Sequence, residues 1–147
     1  NASSASSSSD FQEHLATHAT FQPSSPLDSY LALHGSNLSL RELHQLKLEP
    51  GSLVVLSCCE GGLGNDTLGS EPVSLAGGLS AAGAQPLIVN LWKVDDEVAL
   101  LTFTEFYRQL GSGQPVHLAF RAALAACRAR YPRPSDWGGF CLLGNPR

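Results

Sequence analysis

The 147-residue sequence has no methionine, not even at position 1. A chain of this kind is expected to be a fragment or a processed product whose first residue is not a natural translation start. Charge is also scarce: 15% of residues are Asp, Glu, Lys or Arg, with thirteen acidic against nine basic, for a net charge of −4. Such a balance lacks the basic footprint of a nucleic-acid or anionic-membrane binder. No apolar run reaches the ~18 residues a transmembrane helix needs. The N-terminus is polar rather than basic and then apolar, so no signal peptide is expected. Cysteines are few, at Cys58, Cys59, Cys127 and Cys141, and none is spaced C-x-x-C. That excludes a disulfide scaffold and argues against a structural zinc site. Reduced thiols suit a cytoplasmic location, and the three Asn-x-Ser/Thr triplets at Asn1, Asn37 and Asn65 read as chance.

Signature motifs are missing as well. The glycine cluster Gly61-Gly62-Leu63-Gly64 lacks the Lys-Ser/Thr of a phosphate-binding loop, and no Gly-x-Gly-x-x-Gly occurs, so no nucleotide or other cofactor is expected. No Gly-x-Ser-x-Gly surrounds Ser57, which excludes it as a serine-hydrolase nucleophile.

What is present is enough apolar material, 43%, for one core. Residues 1–9, NASSASSSS, read as a flexible Ser-rich linker, and 10–147 as the folded part. Glu13 to Thr17 reads as a short strand ending at His18. Tyr30 to Leu33 reads as a second, followed by a turn over Gly35-Ser36-Asn37. Ser39 and Glu42 form a capping box, and Leu40, Leu43 and Leu46 supply the face of the helix behind it. Leu53-Val54-Val55-Leu56 and Leu87 to Leu91 are continuous β-rich runs, as in strands buried on both faces of a parallel sheet. Between them, 73–83 has helical spacing and stops near Gly83. One of Asp95 and Asp96 is expected to cap a helix running to Leu110, with Val98, Leu101, Phe106 and Leu110 inward. Pro115 opens a further helix to about Arg130, and Trp137 to Leu143 reads as a last strand. The alternation of strands and helices predicts an α/β fold: a three-layer α/β/α sandwich on a mostly parallel sheet.

Reactive groups in such folds gather at the carboxyl ends of the strands. Cys59 enters the glycine-rich loop at the end of one strand, and His18 ends another. Were those strands parallel neighbours, their ends would lie about 5 Å apart, and imidazole could face thiol. Each residue alone also has a plain reading: Cys59 as a small buried hydrophobe, His18 as a solvated strand end. His14 and His18 have the i, i+4 spacing of a helical zinc pair, but in a strand that spacing is ~13 Å and cannot hold one ion. Asp95 and Asp96 either cap a helix or wall a substrate pocket.

The segment Leu53-Val54-Val55-Leu56-Ser57-Cys58-Cys59-Glu60-Gly61-Gly62-Leu63-Gly64 resembles the nucleophile motif of the CHAT domain. CHAT domains are caspase-like modules, in the clan of caspases and separase, often joined to tetratricopeptide repeats. His14-Leu15-Ala16-Thr17-His18-Ala19 resembles the family's Ala-Thr-His-Gly strand, and Leu91 to Asp96 its Leu-Trp-x-Val-x-Asp. Phe106-Tyr107 with Leu110 resembles its Phe-Tyr-x-x-Leu helix, and Trp137 to Gly144 its closing Trp-x-x-Phe-x-x-x-Gly. The resemblance implies a cysteine peptidase acting on a protein or peptide substrate, with Cys59 as nucleophile and His18 as base. It implies an oxyanion hole from the N–H groups of Cys59 and Ala19, helped by Gly62, and no metal. Ala19 stands where the family has Gly, and Gly61 where it has Thr. The family's domain has further strands before the His strand, so this chain is expected to be its C-terminal catalytic part, with a fused or associated tetratricopeptide-repeat region as partner. The alternative is an inactive pseudo-protease or protein-interaction module.

Overall fold

A computed structural model describes residues 12–20, 22, 24–58 and 70–144. The Ser-rich segment 1–9 lies outside them. The elements run β1 (Gln12–Thr20), β2 (Tyr30–Leu33), β3 (Ser36–Ser39), α1 (Leu40–Leu43), β4 (Ser52–Cys58), α2 (Ser70–Ala81), β5 (Ala84–Asn90), α3 (Asp96–Gly111), α4 (Val116–Arg130), α5 (Pro134–Trp137) and β6 (Phe140–Leu143). The protein is mixed α/β.

The strands order as β3-β2-β1-β4-β5-β6. Only the centre matches the expected parallel sheet: β4 pairs parallel with β1 and with β5. The β1/β2, β2/β3 and β5/β6 pairings are antiparallel, so the sheet is mixed rather than mostly parallel. The physical reason lies in the connections. β2 and β3 are joined by a tight turn at His34-Gly35, with Gly35 at φ 83°, and a hairpin can only be antiparallel. Ser36 and Asn37, expected in the turn, therefore begin β3.

Two apolar clusters flank the central strands. Val54, Leu56, Leu87 and Val89 pack with Leu40 and Leu43 of α1 and Leu75, Ala76 and Leu79 of α2. Leu53, Val55 and Ile88 pack with Val98 and Phe106 of α3 and Phe120 and Ala123 of α4. Successive strand residues thus alternate between clusters, as pleating requires of a strand covered on both faces.

Local signals set the helix ends. The Ser39 hydroxyl accepts from Glu42 N (3.2 Å), and the Glu42 carboxylate accepts from Ser39 N (2.8 Å), which completes the capping box. The helix it opens is a single turn, so Leu46, expected on its buried face, is exposed. Beyond it the chain is drawn to the end of α2, where Leu48 N donates to Ala82 O (2.6 Å). There Gly83 has φ 116°, and a Cβ would stand 2.8 Å from Leu48 O, so only glycine fits. In α3, Val98 and Phe106 are buried as expected, while Leu101 and Leu110 are only partly so. Thr102 fills the remaining inward position, its hydroxyl donating to Val98 O (2.7 Å).

The last strand is shorter than the sequence predicts. Pro134 sits at the first turn of α5, a place where its missing N–H costs nothing. Trp137 therefore ends a helical turn, and the strand starts at Phe140.

Candidate active site

The site is built where β1 changes partners. Its residues Gln12–Thr17 pair in parallel with β4 from Leu53 to Cys58. Its residues His18–Thr20 pair antiparallel with β2 from Ala32 back to Tyr30. The strand does not end at His18, as the sequence suggested, but runs two residues further because β2 supplies a second ladder. His18 is the first residue past the parallel pairing, and its imidazole is exposed. Thr17, one residue earlier, is tied to β2 through its hydroxyl, which donates to Ala32 O. Ala19 is buried in the cluster with Leu31, so His18 points from the opposite face, toward the side covered by α3 and α4.

On β4 the described residues end at Cys58, directly opposite Thr17. Cys59 and Gly62, the expected nucleophile and auxiliary oxyanion donor, lie outside the described residues. Ser57, half-buried, has the same face as Val55 by alternation, the face of His18.

Asp95 is the N-cap of α3: its Oδ1 accepts from Glu97 N at 2.9 Å. The plain reading of this residue is therefore the observed one. Asp96 is the first residue of α3, and both carboxylates are exposed. The N-cap places them where the loop that leaves the carboxyl end of β5 enters α3.

That loop is held by the closing motif. Leu91 N donates to Gly139 O (2.7 Å), and Trp92 Nε1 donates to Ser135 O (3.0 Å). A Cβ on Gly139 would stand 2.9 Å from the Trp92 indole and 3.1 Å from Val94, so the ring lies directly on the glycine. The two motifs, distant in sequence, act as one structural unit beside the site.

The other described cysteines are poor nucleophile candidates. Cys127 is fully buried, and burial pushes its thiol pKa up, against a smaller opposing effect from Thr102. Its Sγ lies 2.9 Å from Thr102 Oγ1. Cys141 is half-buried on β6, at the far side of the sheet from His18.

Sequence reasoning missed Asn90. It lies at the carboxyl end of β5, paired with Phe140, and is 94% buried (6% exposed) with Oδ1 unpartnered. The signal was there: a single amide closing the apolar run Leu87-Ile88-Val89.

The family model described as the CHAT domain matches residues 14–145, and the chain belongs to that family, which is related to caspase-like peptidases. Among individual proteins, it is similar to tetratricopeptide repeat protein 28 of Homo sapiens, 31% identical over 75 residues, or 50% of this chain and 3% of that protein. The Mus musculus protein of the same name is 31% identical over 110 residues, covering 74% of this chain and 4% of the relative. The chain thus spans only a small part of the length of these relatives.

Proposed function

We propose that the chain is a cysteine endopeptidase of the caspase type, on a three-layer α/β/α sandwich, working through Cys59 and His18. The observation that carries this is the in-register parallel ladder of β1 and β4, which reaches Thr17 opposite Cys58. One further step of that register would bring Cys59 beside His18, on the same face. Membership of the CHAT family supports the same pair.

In this reading, His18 takes the Cys59 thiol proton, and the thiolate attacks the scissile carbonyl carbon. The N–H groups of Cys59 and Ala19, with Gly62, hold the oxyanion; one such donor is worth about 3 kcal/mol. The C–N bond breaks as the imidazolium returns its proton to the leaving amine. Water, deprotonated by His18, then hydrolyses the thioester and restores the thiol. Because Asp95 spends its carboxylate on the helix cap, Asp96 is the better placed of the two to wall the substrate pocket. The relatives' name suggests a tetratricopeptide-repeat region as partner, and reduced thiols suit work in the cytoplasm.

The test is peptide hydrolysis by three variants. Cys59→Ala abolishes it, and His18→Ala lowers kcat/KM by about 10²–10⁴-fold. Cys58→Ala leaves it in place. Equal loss in Cys58→Ala would overturn the alignment of the nucleophile, and a wild-type chain that cleaves nothing and whose Cys59 resists electrophilic peptides would favour an interaction module.

A further inference from the structure

Among the described residues, Asn90 Oδ1 is the buried side-chain oxygen with no hydrogen-bond partner. A buried acceptor left without a donor costs stability, and any apolar residue of similar size would remove that cost. Its predecessors in β5 are apolar: Leu87, Ile88 and Val89. A fold alone gives no reason for an amide there.

The position supplies one. Leu87 and Val89 face the α1/α2 cluster and Ile88 faces the α3/α4 cluster, so Asn90 turns toward the latter side, the side of His18 and Ser57. The β4/β5 ladder pairs Leu56 with Val89, and one step on Asn90 neighbours Ser57. A strand that carried this register two residues past Ser57 would hold residue 59 about 8 Å from Asn90 across that face. That is the span of a long side chain lying from a carbonyl at Cys59 down to Asn90.

We propose that Asn90 is a specificity-determining residue, the floor of the pocket for the substrate side chain preceding the scissile bond (P1). This rests on the peptidase reading above and names its substrate class. The acceptor is neutral and buried, so a cation lowered onto it would lose water without gaining a counter-charge. Asn offers one acceptor and one donor group, and a primary amide matches both. The side chain that reaches far enough and ends in a primary amide is glutamine.

The experiment uses the full 147-residue chain and irreversible peptidyl ketone electrophiles that differ only at P1: Gln, Met or Lys. Labelling of Cys59 is followed by mass spectrometry. The Gln probe labels about tenfold faster than the nearly isosteric Met probe, the difference one neutral hydrogen bond in a desolvated site makes. In Asn90→Leu, and in the smaller Asn90→Ala, the Gln/Met ratio falls to about one. In Asn90→Asp the preference moves from Gln to Lys. Equal rates for all three probes on the wild type, a wild-type preference for Lys, or an unchanged ratio in both Asn90→Leu and Asn90→Ala would overturn the assignment while the peptidase reading stands. If no peptidyl probe labels a Cys59 that iodoacetamide does alkylate, the peptidase reading itself fails, and the assignment with it.

Discussion

The two faces of the sheet are filled by different means. On one, α1 and α2 bring leucines and alanines, and Gly78 lets α1 approach so closely that a Cβ would stand 2.7 Å from Leu40 Cδ1. On the other, two long helices bring aromatic side chains: Phe106 is fully buried, Phe120 nearly so, and Phe103 meets Phe140 edge to face at 5.5 Å. The first face is held by close approach of small residues and the second by the volume of large ones. His18 and Asn90 both turn toward the second. The candidate site therefore faces the side filled by aromatic volume.

The largest test of this contrast is a pair of truncations. Phe106→Ala is expected to cost about 3–5 kcal/mol and Leu79→Ala about 2–5 kcal/mol, with the larger loss at Phe106, where the larger cavity is left. Urea unfolding of both variants gives the difference. Equal losses would mean the faces share the load and the contrast fails.

A smaller effect sharpens it at the rim of the same face. Gly139→Ala presses a methyl group into the Trp92 ring and Val94, an overpacking cost of about 1–3 kcal/mol. Gly78→Ala presses on the tip of the flexible Leu40, with His44 and Leu43 at ordinary contact distance, and gains helix propensity, so it should cost less. Thermal unfolding of the pair checks the order; the reverse order would show that the α1/α2 face is the tighter one.

The smallest effect is electrostatic. Arg108, and behind it Gln109, hydrogen-bond the Glu105 carboxylate and bring its pKa from 4.5 down to about 2. A lowered carboxylate pKa stabilises the fold above pH 4.5 and loses that contribution as pH falls toward 2. Arg108 is solvent-exposed, so screening holds the effect to about 0.3–0.5 kcal/mol. Glu105→Gln should remove this part of the acid sensitivity, read as a smaller stability difference between pH 7 and pH 3. An unchanged difference would show that the pair contributes nothing.

Much of the fold was legible because its signals are local. The apolar runs before Ser57 and Leu91 marked β4 and β5, since a strand covered on both faces needs no polar alternation. Ser39 with Glu42 marked a helix start, because the first turn leaves N–H groups that only such side chains satisfy. Asp95 did the same for α3. The misses share the opposite character. Leu46 was placed on a helix face by spacing, but the helix ended a turn earlier under a contact with Ala82. Trp137 was placed in a strand by its apolar neighbours, but Pro134 had already begun a turn.

For the candidate site, the sequence alone singled out the candidates, His18 near the end of one expected strand and Cys59 just after another. Motif order along the chain was enough for family membership. Adjacency was decided only by tertiary structure. Period-two alternation tells which way a strand residue points but not which strand lies beside it, since pairing joins segments far apart in the chain. That β1 leaves β4 for β2 at His18, and that Asn90 Oδ1 is buried with no hydrogen-bond partner among the described residues, are facts about neighbours. They arise when the whole sheet has assembled, and no stretch of residues read alone contains them.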